Sequence, residues 1–330
     1  MRIFLTGATG YIGSALCRRL APEGHELRAL VRPTSRTEEL RALAVATFTG
    51  DLGDRASMRE GMSGADWVVH AAAELDPGSS DRTMETANVA GSENVASLAL
   101  KLGIPRFLSV SSIAYFGGSP PDGSPATEES SVQQPFPTTY SATKHAGQKV
   151  IAGYAARGLR VNTVYPSLVY GPPGKKGGAN VMLKNLAKGR FPALIGADRK
   201  ASWVYLEDLV DGIVRVIEQA PPGRDYLMTG DVATVRELAD AVCAEAGIPP
   251  PRRELSPAFA RAALTVAAPL MRLAGRRPPI APGQIASLAR HWAFDDTRAR
   301  TELGWRPRTL AEGLPPTVEF LLRQPAAEAA

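Results

Sequence analysis

The sequence predicts an α/β fold: a doubly wound parallel sheet followed by a smaller, mostly helical C-terminal domain. Two observations carry the first part. Short apolar runs alternate with amphipathic stretches through the first 170 residues, and a glycine-rich stretch, TGATGYIG (6–13), directly follows the first run. The second part rests on a loosening of that alternation after Tyr170.

The strands fall at RIFL (2–5), HELRALV (25–31), VATF (45–48), DWVVHA (66–71), RFLSVS (106–111) and LRVNTVY (159–165). Between them YIGSALCRRLA (11–21), TMETANVAGSENVASLALKL (83–102) and TYSATKHAGQKVIAGYAARG (139–158) read as helices. Strand–helix–strand repetition of this kind implies parallel strands joined by right-handed crossovers, with helices on both faces. Farther on, GPPGKKGG (171–178) reads as a loop and VMLKNLAKG (181–189) as a short helix. DLVDGIVRVIEQ (208–219) and VRELADAVCAEAG (235–247) read as amphipathic helices flanking a strand at DYLM (225–228). The expected division is residues 1–170 for the sheet domain, rejoined around 204–230, and 171–330 for the smaller domain. The tail QPAAEAA (324–330) is expected to fray.

Composition narrows the function classes. With 330 residues, 44% hydrophobic and 22% charged, the chain is expected to be a globular protein of a reducing cytoplasm. Cys17 and Cys243 sit in apolar helical patterns, which supports neither a disulfide framework nor a zinc site. No stretch reaches the roughly 20 apolar residues of a spanning helix, so stable membrane insertion is not expected. The net charge of +5 comes from 30 arginines and 8 lysines spread along the chain. Without a dense basic block, nucleic acid is not an expected partner and a small-molecule substrate is.

Three glycines, Gly7, Gly10 and Gly13, lie where a first strand turns into a first helix. Such a turn lets backbone approach a pyrophosphate while the helix start offers N–H groups and partial positive charge. The spacing is G-x-x-G-x-x-G rather than G-x-G-x-x-G. In this position Gly7, Thr9, Gly10, Tyr11, Ile12 and Gly13 read as a dinucleotide turn. After the second strand no acid occurs between Glu26 and Glu38, whereas Arg32 stands at the strand end. A guanidinium there suits a ribose 2′-phosphate, which favours NADP; NAD stays open, with Arg32 as a solvated surface residue.

Ser112, Tyr140 and Lys144 are the expected catalytic group. Tyr140 and Lys144 stand at i and i+4 on one helix face, and Ser112 follows the strand RFLSVS at the carboxyl edge of the sheet. An ammonium at ~4 Å could favour phenolate by up to ~4 kcal/mol at an effective dielectric of 20, bringing Tyr140 toward neutrality as a proton-transfer group.

With these residues in place the sequence resembles the extended short-chain dehydrogenases/reductases, the NAD-dependent epimerase/dehydratase family. Its motifs run through nearly the whole chain: TGATGYIG, GDLGD (50–54), HAAA (70–73), NVAGSENV (88–95), SVSSIAYFG (109–117), YSATK (140–144), YPSLVYGPPG (165–174), VYLEDLVDGI (204–213) and TRARTELGWRPRTLAEGL (297–314). The resemblance implies a Rossmann sheet and Tyr140 as acid/base. It implies that Lys144 grips the nicotinamide ribose and that Ser112 orients substrate. Asp51 and Leu52 would flank the adenine, and Ala71, Ala72 and Ala73 would pass under the adenosine ribose. Asn88 would settle the nicotinamide half, Pro166 would meet the nicotinamide end, and a homodimer would form through the helices at 82–102 and 139–157.

Within the family the chain looks closest to the dihydroflavonol-reductase, 3β-hydroxysteroid-dehydrogenase and farnesol-dehydrogenase-like branch, on LVRPTSRTEEL (30–40) and LAGRRPPIAPGQIASLARHWAFDDTRA (273–299). Ser112-Ile113-Ala114 lacks the Asp-Glu pair of sugar dehydratases. The arginine that grips substrate diphosphate in nucleotide-sugar enzymes is replaced by Ala201, with Ser202 in place of the following aspartate. The expectation is alcohol–carbonyl interconversion on an apolar molecule. A nucleotide-sugar epimerase is the second reading, since Arg199 and Lys200 lie close by, and a non-catalytic dinucleotide sensor is the third. His25, His70, His145 and His291 read as structural, Trp203 and Trp305 as packing, with Trp203 a candidate to face substrate. SPAFARAALTVAAPLMRLAGRR (256–277) reads as a core helix broken at Pro269 in preference to a lid or membrane-surface helix.

Overall fold

A computed structural model describes residues 1–174, 178–273 and 282–323. The six strands anticipated in the first half form as β1 (Arg2–Thr6), β2 (Glu26–Val31), β3 (Ala46–Thr49), β4 (Trp67–His70), β5 (Arg106–Val110) and β6 (Val161–Pro166). Three short strands, β7 (Leu168–Tyr170), β8 (Leu194–Ile195) and β9 (Lys200–Tyr205), lie outside that sheet, and β10 (Asp225–Met228) returns to it. The resulting seven-stranded sheet has the order β10-β6-β5-β4-β1-β2-β3, with every pairing parallel. Strands β4 and β6 are buried along their whole length, as apolar strands covered on both faces must be.

Helices Tyr11–Leu20 and Leu206–Gln219 pack together on one face, over Leu5, Val69, Val164 and Tyr226. Helices Arg55–Met62, Gly91–Lys101 and Thr139–Ala155 cover the other, over Phe4, Val68, Phe107 and Val161. Strand order reverses between β1 and β4, which opens a crevice at the carboxyl ends of those strands, the usual ligand position in open α/β sheets.

The remaining chain builds a second lobe. Strand β9 pairs with β7 and with the antiparallel β11 (Asp231–Thr234), while β12 (Glu254–Leu255) pairs with β8. Its own core gathers Tyr170, Leu183, Leu186, Trp203, Leu238 and Leu314. Strands β7, β9 and β11 were not anticipated from periodicity, because each is too short or too evenly buried to show alternation. The tail from 324 lies outside the described residues.

One expectation fails here. Helix Pro257–Leu273 runs on past position 269 and is not a core helix, since Phe259 is 60% and Val266 70% exposed. Phe259, Ala262, Ala263 and Val266 fall on one outward stripe, and the cover on the other side comes from helix Pro282–Leu288.

Candidate active site

The glycine turn is built by backbone contact. Gly7 has φ +77°, and a Cβ there would stand 2.7 Å from the Ala72 nitrogen and 2.8 Å from the Ala71 carbonyl carbon. A Cβ on Gly13 would stand 2.1 Å from the Gly7 oxygen. Glycine at these two positions therefore lets the turn nest against the end of β4 and lets helix Tyr11–Leu20 start hard against β1. That helix is capped by Gly10 without a side-chain acceptor and has no acid in its first turn, which leaves its positive end to an anion. Thr9 and Gly10 are exposed at the rim, and Ile12 is half-buried. The cradle and the unclaimed helix start fit the pyrophosphate of a dinucleotide.

The other residues expected around the cofactor lie on the same carboxyl edge. Arg32 follows β2, is exposed, and makes no ion pair with any described residue. Asp51, two residues beyond β3, is exposed, and its carboxylate accepts from the Gly53 N–H at 2.8 Å. Leu52 is half-buried against helix Gly91–Lys101, where a Cβ on Gly91 would be 3.0 Å from its own Cβ. Ala71, Ala72 and Ala73, just past β4, are partly exposed. Pro166 closes β6 opposite Met228 of β10.

Ser112, Tyr140 and Lys144 come together past the end of β5. Ser112 caps the single turn Ile113–Phe116, its hydroxyl accepting from the Ala114 N–H at 3.1 Å. The side chain of Thr138 caps helix Thr139–Ala155 through the Ser141 N–H, which fixes the first turn, where Tyr140 stands. Burial pushes the Tyr140 phenol above its ordinary value, and its hydrogen bond with Ser112 opposes that rise. Lys144 donates to the Val110 carbonyl at 3.3 Å, and burial lowers its ammonium to about 8. The strong acidification expected from Lys144 is therefore not produced by the polypeptide alone. The ammonium is desolvated and engaged with a carbonyl, and burial raises the phenol instead of lowering it.

Two buried groups support this arrangement. His70 binds Thr6 Oγ1 at 2.8 Å and Ser92 Oγ at 3.1 Å, and burial, with Lys144 nearby, holds it at about 3. It is a neutral tie between β1, β4 and helix Gly91–Lys101, the structural role expected of it. Asn88 lies in a π-helical turn, Thr86–Ala90, that interrupts the expected 83–102 helix. Its amide accepts from the Glu74 N–H at 2.7 Å and donates to the Glu74 carbonyl at 2.9 Å and Thr143 Oγ1 at 3.1 Å. Asn88 thus fastens the strand-end segment 71–74 to the helix that carries Tyr140.

Other contacts lay beyond sequence reasoning. The Tyr11 hydroxyl donates to the Gly171 carbonyl at 2.5 Å, and buried Asn180 donates to that same carbonyl at 2.8 Å. The phosphate turn is so tied to the second lobe, across 160 residues. Arg199 pairs with Asp198 and His291, and Lys200 donates to the Gly123 carbonyl. Ser202 accepts from the Phe294 N–H and Ala201 is buried. Trp203 is packed in the second-lobe core with its Nε1 unpartnered, while Trp305 donates to the Asp208 carbonyl. No local pattern marks the pairings of Tyr11 with Gly171, Arg199 with His291, Lys200 with Gly123, Ser202 with Phe294 or Trp305 with Asp208, because each joins segments far apart in the chain. Among the described residues no cluster of metal-ligating side chains occurs and no helix is long and apolar enough to cross a membrane.

A dinucleotide cradle and a serine–tyrosine–lysine group on one edge of a doubly wound sheet define an NAD-dependent oxidoreductase. Comparison with known proteins agrees: residues 3–228 match the model of the NAD dependent epimerase/dehydratase family, and the chain belongs to that family. It is 30% identical to sterol demethylase protein B of Methylococcus capsulatus, over 93% of this chain and 94% of that one. It is 28% identical to 4-hydroxy-2-methyl-3-oxo-4-farnesyl-3,4-dihydroquinoline-1-oxide ketoreductase of Stigmatella aurantiaca, over 95% of each. UDP-glucose 4-epimerase of Mycolicibacterium smegmatis is 29% identical, over 97% of this chain and 98% of that one. The crystal structure of gox2253 superposes with a TM-score of 0.84 at 28% identity, covering 97% of this chain and 98% of that one. Like its relatives, the chain is an NAD(P)-dependent enzyme acting on CH–OH or carbonyl groups.

Proposed function

We propose that this enzyme reduces a carbonyl, or oxidises the corresponding alcohol, on a mainly apolar small molecule, with Tyr140 as the proton-transfer residue. The observation that carries the reading is Tyr140, placed by the capped first turn of helix Thr139–Ala155 beside Ser112, with its phenol raised by burial and that rise opposed by a hydrogen bond with Ser112. A bound nicotinamide supplies hydride chemistry. The chain supplies the rest: Ser112 and Tyr140 present two hydroxyls to one substrate oxygen, and Tyr140 delivers the proton as that oxygen gains charge.

The apolar substrate class is supported by what stands where a diphosphate grip would be. Ala201 and Ser202 offer no guanidinium, and the neighbouring Arg199 and Lys200 are engaged within the protein. The sterol and farnesyl-quinoline names of two relatives point the same way. Epimerisation of a nucleotide sugar is the competing reading, supported by the epimerase relative.

The test is cofactor-dependent absorbance change against sterol ketones, terpenols, flavanonols and UDP- or GDP-sugars. Tyr140→Phe is expected to lower kcat by at least about 100-fold while sparing dinucleotide affinity. Turnover that survives the substitution, or micromolar binding of a sugar nucleotide, overturns the reading. Arg32, exposed and without a carboxylate partner, supports NADP over NAD. Arg32→Glu is expected to shift the NADP-to-NAD ratio of kcat/KM by about 10-fold or more toward NAD, the scale of one charge-assisted contact; an unmoved ratio removes Arg32 from cofactor choice.

A further inference from the structure

Between Ser112 and Tyr140 the chain makes an excursion over 117–137 and returns almost to its starting point. Its neck is narrow. The Gln133 N–H donates to the Phe116 carbonyl at 2.7 Å, and a Cβ on Gly117, at φ +73°, would stand 2.2 Å from the Gln133 oxygen. Three carbonyl oxygens of the neck converge on one cation from the far end of the chain. Arg290 Nη1 donates to Gly117 at 2.6 Å and to Gln133 at 3.0 Å, and Nη2 donates to Pro135. Arg290 is half-buried and makes no ion pair with any described carboxylate.

Convergent carbonyl dipoles repel one another, and three of them in a partly desolvated neck need several donors in a fixed fork. Arginine meets that need; a lysine ammonium is a point charge and cannot span the same three acceptors. The neck is also coupled to both catalytic hydroxyls. Five residues before Gly117 lies Ser112, and the intervening turn packs Tyr115 on His145 at 4.9 Å between ring centres. Five residues after Pro135 lies Tyr140, and Phe136 packs on the same imidazole at 5.0 Å. His145 rides the helix that carries Tyr140 and Lys144. The adjoining segment 291–294 completes the seam, with the Ser119 and Ala126 N–H groups donating to the His291 and Ala293 carbonyls.

We propose that Arg290 is a positioning residue: by drawing the neck carbonyls of Gly117, Gln133 and Pro135 together it sets the separation of Ser112 and Tyr140. The inference rests on the role given above to those two hydroxyls. Displacement of a reacting group by about an ångström can lower turnover by on the order of 100-fold. Arg290→Ala is therefore expected to lower kcat by about that factor with the substrate KM and the Kd for NADH, read by fluorescence, within two-fold of the parent. Millimolar methylguanidine is expected to restore at least ten-fold of the loss, which a residue needed only for stability would not show. Arg290→Lys keeps the charge and guards against misfolding of the alanine variant; its expected kcat is at least about ten-fold below the parent.

Tyr140→Phe is assayed beside them with whichever ketone the panel shows to be turned over. If Tyr140→Phe is inactive while folded Arg290→Lys or Arg290→Ala keeps kcat within three-fold, the positioning role falls and the functional reading stands. If Tyr140→Phe is active, the functional reading falls and this inference with it. Loss of NADH affinity in step with kcat, without methylguanidine rescue, also overturns it.

Discussion

The glycine turn at 7–13 and the loop neck at 117–135 both shape the site, and they do so by opposite means. In the turn, close approach is achieved by removing atoms. Gly7 and Gly13 let backbone touch backbone, Gly13 against Gly7 and Ala8 and Gly7 against Ala71 and Ala72 at the end of the neighbouring strand. In the neck, close approach is achieved by adding a cation, and Arg290 reaches there from 155 to 173 residues away. The close approaches of the turn lie within the sheet domain, whereas the neck is gathered only when a residue of the far end of the chain has docked on it. The comparison predicts that damage to the turn strikes cofactor binding first, and that damage to the neck strikes turnover.

The largest expected effect is at Gly13. A methyl added there meets only backbone, with the Gly7 oxygen at 2.1 Å and the Ala8 Cα at 2.9 Å, so nothing flexible can yield. Gly13→Ala is expected to weaken NADH binding by about 100-fold or more, measured by fluorescence titration, because the helix start must move off the strand. Gly153→Ala serves as control, since a Cβ there meets nothing within 4 Å. Equal affinity in the two variants would break the comparison. The losses at Tyr140 and Arg290 come next, on kcat rather than on cofactor affinity, and the Arg32 substitution follows at about ten-fold in cofactor preference.

The smallest effect concerns pH. His70 is held at about 3 by burial, below its unfolded value of 6.5. Between those two values the unfolded chain takes up a proton that the native chain refuses, so stability falls as pH drops from 6.5 toward 3. His70 contributes a slope of up to about 1.4 kcal/mol per pH unit in that window. Urea unfolding of His70→Gln between pH 4 and 6.5 should show a flatter dependence by about one proton. An unchanged slope would mean that His70 carries its charge in the folded protein. His25, His145 and His291 are also lowered by burial, so some slope should persist in the variant.

The sheet was legible because its evidence is periodic and local. Apolar runs such as RFLSVS and LRVNTVY, spaced by amphipathic stretches, admit few other arrangements once crossovers must be right-handed. Tyr140 and Lys144 were legible because helical spacing places i and i+4 on one face whatever the rest of the chain does. Strand β9 was not legible, because its burial comes from both the second-lobe core and the sheet domain and leaves no alternation. The exposed stripe of helix Pro257–Leu273 was misread for a related reason: apolar content says that a face is greasy, not that anything covers it.

The amino-acid sequence by itself determined the strands and helices of the first half, the place of the glycine turn and the pairing of Tyr140 with Lys144 on one helix face. These follow from local apolar patterning, the steric freedom of glycine and the helical repeat. Only the tertiary structure decided that burial raises the Tyr140 phenol, that Lys144 turns to the Val110 carbonyl, and that Arg290 gathers the loop beside them. Desolvation and convergent carbonyls are properties of the space between segments, and that space exists only after the chain has folded.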